Sequence, residues 1–210
     1  MRSCFWAAAG MFTACVCFGQ AISVGVTGGA RVTDDLTGAG AVSVSKRYVV
    51  GPELDIGLPL GFGVEVDALY RREGFQSSYS NIFYGGSSEE HANSWEFPIL
   101  LKYRLPVPLV KPFLEVGYAP RVIHGSISTL NNSVSPPVQL PATSEHLPDS
   151  QGFVIGGGVQ FAIGRLRLSP GVRYTHWNNT PITVVIPDGP TWESTQNQVD
   201  ILVGITWKIR

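Results

Sequence analysis

Apolar and polar residues alternate with a period of two along most of the chain after residue 21. Such alternation is typical of β-strands whose two faces meet different environments. Each alternating run is about 10–13 residues long, the length that a tilted strand needs to cross the hydrocarbon layer of a membrane. The pattern predicts eight strands, at residues 22–32, 46–58, 62–72, 93–104, 111–122, 152–162, 165–176 and 198–209.

The last run shows the two faces most clearly. One face is apolar and carries Val199, Ile201, Val203, Ile205, Trp207 and Ile209. The other face carries Gln198, Asp200, Leu202, Gly204, Thr206 and Lys208. Across all eight runs the apolar face holds no charged residue within its central span.

The connections between the runs alternate between short and long. The short ones lie at 59–61, 106–110 and 163–164, and the long polar ones at 33–45, 73–92, 123–151 and 177–197. An even-stranded barrel with both termini in the periplasm has this arrangement. The sequence therefore predicts an all-β fold, an eight-stranded antiparallel up-and-down transmembrane β-barrel with short periplasmic turns and long outer loops.

The positions of the aromatic residues decide whether the apolar face meets lipid or a soluble core. A soluble eight-stranded barrel of the lipocalin kind also alternates, with its apolar face inside. Membrane interfaces instead select two aromatic girdles at opposite ends of an apolar band. The predicted outer girdle consists of Tyr48, Tyr70, Trp95, Tyr118, Phe153 and Tyr174. The predicted periplasmic girdle consists of Phe62, Tyr103, Phe161 and Trp207.

The polar face mixes glycines with large charged residues of both signs, Arg31 and Arg47 among them. Inside a narrow barrel, glycine makes room for a long neighbouring side chain. Buried charges must be paired because an unpaired ion in a low dielectric costs several kcal/mol. We therefore predict a structural ion-pair network in the lumen, formed by Glu53, Asp55, Glu65, Asp67, Arg71, Glu96, Lys102, Glu115, Arg121, Arg173 and Asp200.

The first residues form a separate targeting segment. Arg2 precedes an apolar run from Cys4 to Gly19, and small residues follow at the spacing that a signal peptidase reads. About 16 apolar residues are too few for a transmembrane helix. Lipoprotein processing at Cys15 or Cys17 is an alternative. We predict a signal peptide at 1–21, cleaved after Ala21, and a barrel at 22–210.

Composition narrows the function. The chain has 15 basic and 16 acidic residues, which gives no indication of a nucleic-acid partner. Its 24 glycines and its low charged fraction of 15% suit a β-rich protein in an apolar setting. All three cysteines lie in the targeting segment, so the mature barrel is expected to have no disulfide framework.

At the level of local phrases the chain resembles the small outer-membrane β-barrel proteins related to the OmpA transmembrane domain. The resemblance extends from Ile22 to Arg210 and includes Trp95-Glu96-Phe97-Pro98, Arg173-Tyr174-Thr175 and the closing strand from Asn197 to Trp207. It implies a location in the bacterial outer membrane, contact with outer-membrane lipid and insertion by the barrel-assembly machinery. Pro98, Pro120 and Pro170 fall within strands and indicate local bulges.

Candidate catalytic and metal-binding residues are few. His91, His124, His146 and His176 lie in or near the outer loops with Glu89, Glu90 and Glu145, but no pair has the ligand spacing of a zinc site. His176-Trp177-Asn178 resembles a phrase of the outer-membrane lipid A deacylases. Asn178 stands where their nucleophilic serine lies, and an amide cannot accept the acyl group. We predict no catalytic residues, no cofactor and no metal.

Three function classes follow from these features. The first is a structural or surface-interaction protein whose barrel anchors outer loops, with its extracellular ligand left open. The second is a narrow, porin-like channel, which ranks lower because side chains fill the interior of an eight-stranded barrel. The third is a lipid-modifying enzyme. We expect a monomer that is not an enzyme.

Overall fold

A computed structural model gives the architecture of most of the chain. It describes residues 21–34, 36–37, 42–43, 46–80, 85–107, 110–131, 138–139, 143–146, 149–179, 183–185 and 191–209. The predicted signal peptide, with Cys4, Cys15 and Cys17, lies outside the described residues except for Ala21. No helix in the described part of the chain is long and apolar enough to span a membrane.

Strands dominate the described residues. In chain order they are β1 (Ala21–Arg31), β2 (Leu36–Thr37), β3 (Val42–Ser43), β4 (Tyr48–Gly57), β5 (Phe62–Asp67), β6 (Leu69–Ser80), β7 (Gly85–Glu96), β8 (Ile99–Arg104), β9 (Val110–Asn131), β10 (Val138–Gln139), β11 (Thr143–His146), β12 (Ser150–Ile163), β13 (Leu166–Trp177), β14 (Thr183–Val185), β15 (Thr191–Ser194) and β16 (Asn197–Lys208). A 3-10 turn at Pro59–Gly61 joins β4 to β5.

These strands close into an eight-stranded antiparallel barrel, which confirms the predicted fold class. β5 with β6 forms the third barrel strand, and β7 with β8 forms the fourth. The order round the wall is β1, β4, β5/β6, β7/β8, β9, β12, β13 and β16. β16 pairs with β1, which leaves no open edge in the wall.

The strands are staggered round the wall. Successive paired residues can be traced from strand to strand round the wall, starting at Ile22 on β1. The path runs through Ile56, Val64, Leu101, Val116, Ile155, Tyr174 and Val199. The backbone N–H of Val32 donates to the carbonyl of Val199 at 2.8 Å, so the path returns to the end of β1 at Val32 rather than at Ile22. Strands in a closed barrel with such a stagger tilt against the barrel axis.

The predicted bulges at the prolines are wrong. Glu96 pairs with Arg121 and Ile99 pairs with Tyr118, a step of three residues on both strands across Pro98 and Pro120. Pro170 likewise pairs with Val203 in the register of its neighbours. Proline removes only the hydrogen bond that its missing N–H would donate. The register continues because partner N–H groups still donate to the proline carbonyls, as Phe97 does to Pro120 at 2.9 Å.

Tight turns close one end of the barrel, called here the turn end. At Pro59–Gly61 the chain reverses through Leu60 with φ 63° and Gly61 with φ 85°. Between β12 and β13 the reversal uses Gly164 with φ 63°, next to the pair Ile163 and Leu166. A positive φ at the first central position is what a two-residue type II′ hairpin requires, and glycine adopts it without steric cost.

The opposite end, called here the loop end, departs from the predicted strand limits. Residues 73–92 and 123–151 were expected to be loops, but β6 continues to Ser80, β7 begins at Gly85 and β9 continues to Asn131. Hydrogen-bonded pairing carries these strands on: β7 pairs with β9 as far as Gly86 and Asn131. The polar, serine-rich and glycine-rich composition hid this extension, because alternation disappears when neither face of a strand is apolar.

The barrel wall is apolar outside and polar inside. Its exterior is covered by large apolar residues whose exposed fractions lie between 37% and 68%, among them Ile22, Val24, Val26, Leu101, Leu114, Val116, Ile155, Val172, Ile201, Val203 and Ile205. Inward-pointing side chains include most of the buried charged residues in the described part of the chain. This is the inverse of a soluble barrel, and the site of interest is therefore the lumen together with its two ends.

Candidate functional site

Arg173 forms the centre of the lumen. Its guanidinium donates through Nε to Glu115, through Nη1 to Asp67 and through Nη2 to Glu65, each at 2.9 Å. β13 supplies the arginine, β5 supplies Glu65 and Asp67, and β9 supplies Glu115. A planar fork of five N–H donors suits several carboxylates at once, which explains why arginine occupies this position. The arrangement ties opposite parts of the wall together across the lumen.

Lys102 and Arg104 extend this cluster toward the turn end. Lys102 on β8 pairs with Glu65 and lies 3.5 Å from Glu115, with its ammonium 4.3 Å from the centre of the Phe113 ring. Arg104 pairs with Asp55. Arg167 reaches the other oxygen of Asp55 at 3.8 Å.

Glu53 differs from the other lumen carboxylates. It accepts a hydrogen bond from the Thr27 hydroxyl and forms no ion pair with any side chain that the structure describes. It lies opposite Gly204, where a Cβ would stand 2.5 Å from its carboxylate oxygen. The glycine therefore makes room for the carboxylate, as expected for glycines in a crowded lumen.

A second cluster lies toward the loop end. Arg31 lies 3.4 Å from Asp200 and 3.3 Å from Glu96, and Arg71 lies 3.9 Å from Glu96. Gln198 donates to both Asp200 and Glu96. The amide of Gln198 thus bridges two carboxylates of this cluster.

Trp177 covers the loop-end cluster. It is fully buried, and its indole N–H donates to Gln198 at 2.8 Å. The guanidinium of Arg121 lies 3.9 Å from the centre of its ring, a cation–π geometry, and Arg121 also donates to Ser150. The sequence interpretation placed residue 177 in a loop, but β13 ends at Trp177 and turns it inward.

Side chains fill the lumen centre around Arg173. The cavity bounded by Glu53, Lys102, Glu115 and Arg173 has a volume of about 20 Å³. A volume of this size holds about one water molecule. Among the described residues, the lumen centre around Arg173 therefore holds little free space.

The residues predicted for the lumen network are brought together by the structure. All eleven are buried and lie on the inner face of the wall. Arg47, which the alternation placed on the same face, is different: its side chain is 62% exposed and pairs with Asp34 at 2.8 Å, because it precedes β4 at the loop end. The prediction omitted Thr27, Arg104, Arg167, Trp177 and Gln198. Arg104 lies on the same face of its run as Lys102, so the alternation already indicated that it belongs to the lumen network.

The ten predicted girdle residues lie on the exterior in two groups. Toward the loop end the rings of Tyr70 and Trp95 are 5.2 Å apart, and toward the turn end those of Phe62 and Tyr103 are 4.9 Å apart. Tyr70 and Tyr174 donate their hydroxyl protons to Asn93 and Asn197. A ring with a polar edge suits a boundary between apolar and wet surroundings.

Comparison with known proteins agrees with this geometry at the level of fold. The outer membrane protein OprG from Pseudomonas aeruginosa is 12% identical, with 91% of this chain and 95% of that chain covered and a TM-score of 0.54. The fold is that of a small outer-membrane β-barrel. Neisserial surface protein A (14% identical, TM-score 0.48, 91% and 97% covered) and Ail of Yersinia pestis, the attachment invasion locus protein (10% identical, TM-score 0.39, 90% and 97% covered), align at lower scores. No family model and no curated protein matches the sequence.

The histidines of this barrel offer no catalytic arrangement among the described side chains. His124 is exposed, and the side chains of His91, His146, Glu89, Glu90 and Glu145 lie outside the described residues. His176 is exposed on the exterior and contacts the Asn197 amide oxygen at 2.8 Å through Nδ1. Asn178 accepts a hydrogen bond from the backbone N–H of Gln151 at 3.0 Å, so its amide caps β12.

One group of carboxylates has the spacing of metal ligands. Oxygens of Glu53, Asp55 and Glu65 lie within 4.8 Å of one another. Lys102 and Arg173 already pair with Glu65, and Arg104 with Asp55. Protein cations thus neutralise two of the three carboxylates, and Glu53 accepts a hydrogen bond from Thr27 instead.

Proposed function

We propose that this protein is a monomeric outer-membrane barrel that anchors a surface-interaction sheet at its loop end. The turn end would face the periplasm and the loop end the cell exterior, after export by the signal peptide and insertion by the barrel-assembly machinery. The apolar exterior between the two aromatic groups supports contact with outer-membrane lipid. No nucleic-acid partner and no cofactor enter this proposal.

The observation that carries the proposal is the length of the strands at the loop end. β9 has 22 residues, whereas about 9–11 residues suffice for a tilted strand to cross a membrane. Residues 122–131 alone add about 30 Å of strand at the usual rise per residue. β6 and β7 accompany β9 over this length, so the extension is a paired sheet rather than a set of separate loops.

β9 is paired on both sides beyond the barrel. β12 ends its pairing with β9 at Ser150 and Arg121, and β11 then pairs with residues 124–127 on the same side. β3 adds a short pairing to β6 at Phe75 and Gln76. A sheet built in this way presents a defined surface to the exterior. The filled lumen beneath it supports an anchoring role in preference to a channel.

Proteoliposomes test the proposal directly. Vesicles carrying the full-length mature barrel are passed over surfaces coated with extracellular-matrix protein, sulfated polysaccharide or a second vesicle layer. The comparison variant replaces residues 73–92 with a two-residue turn. The control variant replaces residues 180–190 with the same turn. We expect retention on at least one surface for the wild type and the control, and loss of retention when the β6–β7 extension is removed. The proposal is contradicted if the wild type, the comparison variant and the control variant are retained equally. It is also contradicted if the wild type is retained on none of the surfaces.

A further inference from the structure

The turn end of the barrel opens into a vestibule of about 600 Å³. Each of the eight barrel strands, or the turn next to it, contributes to its lining, so the vestibule is the barrel mouth itself. Its volume lies in the range of cavities that bind small organic ligands. The small cavity between the ion-paired residues higher in the lumen has no comparable space.

Four cations line this vestibule. Arg104 comes from β8, Lys111 from β9, Arg167 from β13 and Lys208 from β16. None of the described side chains that line it is a carboxylate. This charge distribution differs from that of the lumen centre, where Arg173 alone contacts three carboxylates.

One carboxylate lies just inside the vestibule and neutralises only part of this charge. Asp55 pairs with Arg104 through one oxygen and lies 3.8 Å from Arg167 through the other. Lys111 and Lys208 form no ion pair with a described side chain. The mouth therefore carries an excess of positive charge that an anionic ligand would neutralise.

Arg104 is held in place before any ligand arrives. A Cβ at Gly63 would lie 2.5 Å from Arg104 Nη1, so the glycine makes space for the guanidinium. Asp55 fixes the guanidinium from below, and Arg104 Nε is buried without a hydrogen-bond partner in the described part of the chain. A guanidinium fixed in this way is a permanent cation of the vestibule lining, and a cation of this kind suits a phosphate group.

Apolar side chains also line the vestibule, with Leu58 and Pro59 in the turn after β4 and Leu105 and Pro106 after β8. A ligand that fits this lining carries a phosphate together with a less polar part. We propose that the vestibule binds a phosphate ester, whether as the headgroup of a phospholipid or as a free phosphate ester.

The first experiment measures binding of a soluble probe. Glycerol 3-phosphate is titrated calorimetrically into the mature barrel in nonionic detergent micelles. The test variant combines Lys111→Gln with Lys208→Gln, which leaves the Asp55 ion pairs intact. The matched control combines Lys46→Gln with Arg47→Gln, which removes the same charge from exposed residues at the loop end. Heat-modifiable migration on a gel checks that every variant is folded.

The second experiment distinguishes a lipid source from a soluble one. Each protein is reconstituted in vesicles of equal parts phosphatidylglycerol and phosphatidylcholine, extracted, and analysed by native mass spectrometry for retained lipid. Phosphatidylglycerol retained by the wild type and the control, but not by the turn-end variant, supports the lipid source. Soluble binding without lipid retention supports the free ester.

With each probe that the wild type binds, we expect the turn-end variant to bind at least about tenfold more weakly, the usual effect of losing a charge-assisted hydrogen bond. The loop-end control should stay within about twofold of the wild type. If the wild type binds neither probe, the proposal is overturned. It is equally overturned if the two variants lose the same affinity or if the turn-end variant loses none.

Discussion

The two faces of β16 show how differently the exterior and the lumen of this barrel are built. On the exterior, Ile201, Val203 and Ile205 are 52%, 37% and 51% exposed. On the lumen side, Asp200 and Thr206 are 4% and 2% exposed. The exterior contacts are non-directional and depend on the surrounding solvent. The lumen contacts are directional and require a partner on another strand.

This difference determines which residues can be exchanged. An exterior position needs only an apolar side chain of tolerable size, because any lipid chain fills the space beside it. Arg173 instead depends on partners that lie 58, 106 and 108 residues away in the sequence. A change at one lumen residue therefore leaves several others unsatisfied. Lumen substitutions are expected to be more damaging than exterior ones of the same size.

The largest effect is expected for Arg173→Met. The change leaves Glu65, Asp67 and Glu115 without their common cation, and breaking a buried ion pair costs about 3–5 kcal/mol. The free energy of unfolding, measured by urea titration in lipid vesicles with tryptophan fluorescence, should fall by at least this amount. Arg167→Met is the control, since Arg167 is partly exposed and contacts one carboxylate at 3.8 Å. A similar loss in the free energy of unfolding for both variants would show that the Arg173 cluster stabilises the barrel no more than the Arg167 contact does.

The next effect concerns the exterior. Val203→Arg places a charge on the lipid side near the middle of the apolar belt, and such a change costs about 2–4 kcal/mol. Ile209→Arg places the same charge on the same face at the turn end, where the cost is about 0–1 kcal/mol because the side chain reaches water. Unfolding titrations of the two variants in vesicles compare these depths. Equal free-energy costs for Val203→Arg and Ile209→Arg would mean that the apolar exterior does not face lipid.

A smaller effect should separate glycines on the two faces. At Gly156, which points into the lumen, a Cβ would lie 2.7 Å from the Glu115 carboxylate and 2.9 Å from the carbonyl of Val172. Gly156→Ala is expected to cost about 1–3 kcal/mol, as overpacking does. At Gly28 on the exterior the nearest atom is 3.7 Å away, so Gly28→Ala should be neutral or stabilising by up to about 1 kcal/mol. The same measurement compares the free energies of unfolding of the two variants. An unchanged free energy for Gly156→Ala would contradict the tight packing of the lumen.

The sequence was informative wherever one face of a strand is apolar. In β16 the alternating residues Val199, Ile201, Val203, Ile205 and Trp207 point outward and Leu202 points inward, as the two faces of the run predicted. The predicted limits 198–209 differ from Asn197–Lys208 by one residue at each end. Alternation carries this information because neighbouring side chains on a strand point to opposite faces. Inside the lumen the same alternation separates Glu65 from Val66. It does not show that Glu65, Asp67 and Glu115 share one arginine, because that depends on the stagger of the strands round the barrel.

Two kinds of feature were not accessible from the pattern. The extensions of β6, β7 and β9 have no apolar face, so their residues have the composition of a loop. Trp177 was placed in a loop because it follows the last alternating residue of its run, yet it turns inward and covers the lumen. Both features depend on pairing and packing with strands that are distant in sequence. Period-two alternation within one strand does not identify its partners on other strands.

The smallest expected signal is electrical conductance across the barrel. Planar bilayers containing the wild-type protein should show no steady current, because the Arg173 cluster fills the central lumen and opposite charges in a low dielectric stay paired. Trp177→Ala sharpens the test, since it removes the cover of the loop end and the cation–π partner of Arg121 while leaving the central cluster intact. This variant should remain closed as well. A steady channel in the variant alone would place the barrier at Trp177 and not at Arg173. A reproducible open channel in the wild type would contradict the filled lumen and favour the narrow-channel function over anchoring.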